Sequence, residues 1–180
     1  MEWLDRGAFL QPKYVSALRA GLSWGVVLVL CELGFGAVSY YLRPDLVDYM
    51  NRGDAASLFP MAAVWLAYLL LILAIYIACG MSAAKALSPL PLRSLEIGAL
   101  GALAGAIAEL LRSVIAALMS FAISMLFPLV KDGGFAVALE SAGLRLVCGL
   151  PLFVIAAAFV AGLSAYGFSL IFFRPENAPK

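Results

Sequence analysis

Glu32, Glu109 and Arg112 lie inside stretches that otherwise read as membrane-spanning, Glu32 in the first and the other two in the third. An ion in hydrocarbon is costly to insert, so such a side chain normally faces a partner helix or a wet cavity. The chemistry open to these three is narrow. A carboxylate at that depth binds a proton or a cation, donates a hydrogen bond once neutral, or pairs with a guanidinium. Glu109 and Arg112 stand three residues apart and can pair along their own helix. In one reading they form a self-neutralised pair near a membrane boundary, snorkelling toward the headgroups. In the other, Arg112 bridges to Glu32 and leaves Glu109 to protonate or to bind an ion. Glu32 falls near the middle of a span of 22 residues, Gly21 to Leu42, where a structural hydrogen bond and a proton- or cation-binding role are both open.

Other chemistry is poorly furnished. The chain has no histidine, hence no usual haem axial ligand, no commonest ligand of catalytic zinc and no default general base. Cys31, Cys79 and Cys148 lie far apart and read as small hydrophobes within apolar runs. The serines have no histidine to activate them, and Lys13 and Lys85 belong to flanks or loops, so an intramembrane hydrolase is poorly supported. No cofactor and no metal site is expected. Glu96, beside Arg93 and Ser94, reads as a helix-start acid that complements the macrodipole.

The third segment also carries a groove of small residues. On a helix, Gly101, Gly105, Ala108 and Arg112 share one stripe, with Gly98, Ala102, Gly105 and Glu109 on the next. Gly21-x-x-x-Gly25 in the first span offers a matching surface. Small residues let helices approach closely in lipid. These five glycines therefore pack either the protein's own helices or a second chain.

The elements that position these residues follow from composition. The chain has 180 residues, is 64% apolar and 13% charged, and has a mean hydropathy of +1.01. That places it in the membrane class as a single domain. Twelve basic and eleven acidic residues, spread along the chain, give no footprint for nucleic acid. The first twenty residues are mixed in charge, unlike a signal peptide, and are expected to stay attached as a juxtamembrane segment, 1–20. A transmembrane domain, 21–173, follows, with spans at about 21–42, 59–80, 97–129 and 151–173 and a short tail, 174–180. Met81 to Ser94 reads as a loop because of Ser88-Pro89-Leu90-Pro91.

Leu95 to Val130 is long for one crossing: 36 residues of helix span about 54 Å against a hydrocarbon core of about 30 Å. Counting back from Pro128 puts Glu109 and Arg112 near a membrane boundary and leaves the uncharged Ile97–Ala108 beyond it. A continuous tilted helix is favoured over a re-entrant pair because residues 108 to 113 lack Gly and Pro. Phe135 to Leu150, carrying Glu140 and Arg145, reads as a short interfacial helix.

The expected fold is thus an all-α integral membrane bundle of about four transmembrane helices with one short interfacial helix. Seven basic residues flank one side (Arg6, Lys13, Arg19, Lys85, Arg93, Arg174, Lys180) and four the other (Arg43, Arg52, Lys131, Arg145). That asymmetry puts both termini in the cytoplasm, with the plasma membrane as the expected site. The expected partners are the lipid bilayer and either further copies of the chain or other membrane subunits. Two functions compete. The first is a non-catalytic accessory or assembly subunit that works by helix–helix contact. The alternative is a small oligomeric transporter or channel in which Glu32, Glu109 and Arg112 line a polar route. An enzyme ranks third.

Overall fold

A computed structural model describes residues 11–41, 58–126, 143, 147 and 149–172. Nearly all of them fall in four helices: α1 (Pro12–Tyr41), α2 (Leu58–Leu87), α3 (Ser94–Leu126) and α4 (Leu150–Phe172). Each is long and apolar enough to cross a membrane. The side chains are sorted as lipid requires. Ten of the seventeen buried apolar residues among the described ones are alanine, whereas Leu30, Leu66, Leu118 and Phe159 are more than half exposed. In lipid an outward leucine loses nothing, and small residues inside allow the backbones to meet.

Glycine contacts define how the helices run. Gly21 abuts Ala104 and Ile107, and Gly25 abuts Ala108 and Leu111, so α1 and α3 run parallel. Gly98 meets Gly162 and Tyr166 while Gly105 meets Ala157 and Ala161, so α3 and α4 run antiparallel. α2 touches the other three helices, whereas α1 and α4 lie apart. The starts of α1 and α3 therefore share one end of the bundle with the last turns of α2 and α4.

Helix boundaries move for local reasons. α1 begins at Pro12 rather than at Gly21. Proline suits the first helical position, and the Gln11 carbonyl accepts from the Tyr14 and Val15 amides. The expected loop from Met81 to Ser94 is helical as far as Leu87. Met81 to Leu87 are mostly strong helix formers, and the first proline bars the helix only from Ser88 onward. The Ser88 amide and hydroxyl then close the end of α2 on the Lys85 carbonyl.

α3 is one continuous helix of 33 residues, which removes the re-entrant alternative. At its start Glu96 accepts the Arg93 amide at 3.0 Å, half of a capping box. Within its uncharged stretch 97–108, Ile97, Gly98, Leu100, Gly101, Ala104, Gly105 and Ala108 are buried against neighbouring helices. Glu109 and Arg112 lie near the middle of the 33 residues of α3, which is long and apolar enough to cross a membrane. The expected interfacial helix over 135–150 lies outside the described residues except at 143, 147, 149 and 150, where α4 begins.

Candidate functional site

Arg112 joins two carboxylates from different helices. Its Nε donates to Glu109 Oε2 at 2.8 Å and its Nη2 to Glu109 Oε1 at 2.7 Å, a bidentate pair one turn along α3. Its Nη1 donates to Glu32 Oε2 on α1 at 2.6 Å and to the Tyr68 hydroxyl on α2 at 3.3 Å. The Tyr68 hydroxyl donates to Glu32, and the Tyr76 hydroxyl, two turns further along α2, donates to Glu109. Ser113 Oγ adds a bond to Glu109 Oε1 at 2.8 Å. Three helices are thus cross-linked through five polar side chains, with Ser113 alongside.

The two acids are held differently. The Glu109 side chain has no exposed surface, that of Arg112 is 13% exposed and that of Glu32 is 23% exposed. Bidentate, charge-assisted bonds are the strongest available to a guanidinium. Glu109 and Arg112 therefore form a closed, neutralised unit. Glu32 is the second carboxylate on a single guanidinium, and it is the acid that meets open space.

That space is a cavity of about 340 Å³ at the junction of all four helices, with Glu32, Tyr68, Tyr76, Arg112 and Ser113 among its lining residues. Its remaining walls are apolar or aromatic. Phe35 stacks on Tyr68 with ring centroids 4.0 Å apart, and Trp65 stands edge-on to Phe35 at 4.8 Å. The Arg112 guanidinium lies 5.9 Å from the centre of the Phe153 ring. A larger groove of about 550 Å³ runs between the start of α1 and the end of α2, and among the described residues its lining carries one ionisable side chain, Arg19, and no acid.

All three ionisable residues singled out in the sequence thus meet in one cluster. Neither pairing envisaged for them is complete: Arg112 does reach Glu32, yet Glu109 is not released and is the more tightly held acid. Glu32 sits in the last third of α1, because that helix starts at Pro12. Sequence reasoning missed the tyrosines: neither Tyr68 nor Tyr76 was among the residues singled out for the site. A signal was present. Trp65, Tyr68, Ile72, Tyr76 and Cys79 follow helical spacing along one face of α2, whose one charged residue, Lys85, lies in its last turn.

The five glycines all serve contacts within the bundle. Gly21 and Gly25 seat α1 on α3, against Ala104, Ile107, Ala108 and Leu111 rather than against the glycine stripe. Gly98, Gly101 and Gly105 receive α4, whose buried face is Ala157, Ala161, Ala165 and Ser169. Gly80, not singled out in the sequence, lets α2 reach the Ala161 carbonyl and Ser164. Cys79 is buried and Cys31 half-buried in the same core, both as free thiols.

Comparison with protein-family models, with curated proteins and with solved structures found no match.

Proposed function

We propose that this chain is a small membrane transport protein whose working site is the cavity at Glu32. One observation carries the reading: of the two acids bound to Arg112, Glu109 is sealed and Glu32 faces the cavity. In this reading Glu109, Arg112 and Tyr76 form the fixed floor. Glu32, held by Arg112 and Tyr68, carries the charge that changes partner during transport. Of the features that favour an accessory subunit, short loops, a lack of cofactor ligands, a long third segment and glycine-lined faces, the last is taken up by contacts within the bundle. Four helices enclose little space, so the transport reading calls for a homo-oligomer. It also places both termini on the cytoplasmic side of the plasma membrane, in keeping with the basic bias and with the shared end of α1's start and α4's last turn. A reporter fused to either terminus tests that orientation.

The function is tested by charge movement. Wild-type protein in proteoliposomes on a solid-supported membrane is expected to give a transient current on a pH jump. Glu32→Gln, purified as the same oligomer, is expected to give none. A silent wild type, or a full-sized current from Glu32→Gln, would sink the reading.

A further inference from the structure

We infer that the groove between the start of α1 and the end of α2 holds the headgroup of an anionic phospholipid. The phosphodiester lies against Arg19, and the acyl chains follow the apolar continuation of the same face of α1. This site shares no lining residue with the Glu32 cavity and does not depend on the transport reading.

The groove exists because its lining side chains are short. Ser16, Ala20 and Ser23 on α1 and Ser82 and Ala86 on α2 leave about 550 Å³ between the two helices. Arg19 is exposed at its edge, while Ser16 and Ser82 are half-buried and bring one hydroxyl from each helix. The Ser23 hydroxyl donates to the Arg19 carbonyl at 2.8 Å, so its proton is already used. The donors left to a ligand are thus a guanidinium and two hydroxyls, a set that suits phosphate oxygens.

The surroundings set the sign. Among the described residues this end of the bundle carries Lys13, Arg19, Lys85 and Arg93 against one acid, Glu96. Such a surplus attracts an anionic headgroup and works against one that carries its own ammonium.

Depth and polarity assign the phosphate to a lipid. With 30 residues, α1 is about 45 Å long, the thickness of a bilayer with its headgroup layers. Arg19 lies about two turns, or ~11 Å, from the start of that helix. Its side chain leans toward the helix start, which lifts the charge into the phosphate layer. Further along the same stripe, Ser16, Arg19 and Ser23 give way to Val26, Val27 and Leu30, all exposed. Polar groups at headgroup level followed by an outward apolar strip repeat the order of a phospholipid.

The test is native mass spectrometry of the full chain, delipidated in mild detergent and titrated with phosphatidylglycerol or with phosphatidylcholine of the same chains. Wild type is expected to retain phosphatidylglycerol at least about fivefold more tightly, the worth of one basic side chain near an anionic surface. Arg19→Gln, at an exposed position, is expected to lose that preference. Arg93→Gln, at the same end but outside the groove, is expected to keep it. Ser82→Ala is expected to weaken binding about 2- to 10-fold, the worth of one hydrogen bond. Soluble glycerophosphoglycerol, which has the headgroup without chains, is expected not to displace the lipid at about tenfold excess. Failure to retain either lipid, or equal retention of both by wild type, would overturn the inference. So would an unchanged preference in Arg19→Gln, or an equal loss in Arg93→Gln, which would reduce the effect to diffuse surface charge. Displacement by glycerophosphoglycerol would overturn it in favour of a site for soluble phosphodiesters.

Discussion

Along the first half of α3, Gly101 and Gly105 receive Ala157, Ala161 and Ala165 so closely that a methyl at Gly105 would sit 2.6 Å from the Ala157 carbonyl oxygen. A turn further on, the same helix presents Glu109 and Arg112, and the four helices stand apart around about 340 Å³. One half of the bundle is held by backbones in contact, the other by charges and aromatic rings. The difference shows a division of labour within one helix. The seam fixes the height and rotation of α3, and that setting aims Arg112 at both acids. A site that depends on one guanidinium reaching two helices needs such a fixed base.

The sharpest way to break the comparison is to remove the charge that joins the halves. Arg112→Leu leaves Glu109 buried without its main cation, and losing one partner of a buried pair costs about 3–5 kcal/mol. The expected result is loss of monodisperse protein in mild detergent. Arg112→Leu combined with Glu109→Leu removes both charges of the sealed pair, and it is expected to recover most of the thermal stability. Failure of the double variant to recover would mean that Glu32 and Tyr76, not Glu109, set the cost.

On the seam side the corresponding break is steric. Gly105→Ala places a methyl against backbone that cannot move aside, and overpacking typically costs about 1–3 kcal/mol. A lower melting temperature is expected, with the pH-jump current reduced in proportion to the folded fraction. Gly80→Ala is expected to be at least as damaging, because its methyl would meet the Ala161 carbonyl and Ser164 more closely still.

These two regions also differ in how far they could be read from the sequence. Four spans and the glycine stripes were legible, because hydropathy and spacing report them directly. So were the three ionisable residues, since charge in an apolar run stands out. What escaped was that the two pairings of Arg112, read as alternatives, coexist. Which face of α3 meets α1 depends on α1 starting at Pro12, and proline with a basic first turn looked like a flank. Tyr68 and Tyr76 escaped for a related reason: a tyrosine in an apolar helix is compatible with packing, and only the carboxylates opposite give it another task. That the small-residue face of α3 is covered by α4 was also not legible, because cover by a neighbouring helix leaves no mark in the covered helix's own residues.

Glu32→Gln sharpens the contrast within the cavity half. The amide keeps an acceptor for Tyr68, and Arg112 keeps Glu109, so the stability cost is expected at about 0.5–1.5 kcal/mol, the worth of an ordinary hydrogen bond. The charge movement is nevertheless expected to vanish. A loss of stability as large as that of Arg112→Leu would instead make Glu32 part of the fixed floor.

The smallest effect is expected where neither rule applies. Gly34 follows Glu32 by two residues, yet among the described residues nothing lies within 4 Å of a methyl placed on it. Gly34→Ala therefore removes backbone freedom from the unfolded chain without any clash, and in a helix interior that exchange stabilises by roughly 0.5–1 kcal/mol. Opposite signs for Gly34→Ala and Gly105→Ala in the same thermal assay would separate the seam from helix propensity in general. If Gly34→Ala were instead destabilising in the native oligomer yet harmless in a dissociated protomer, that face would be where a second copy packs. The oligomer that the transport reading calls for would then have a surface, two residues from its working acid.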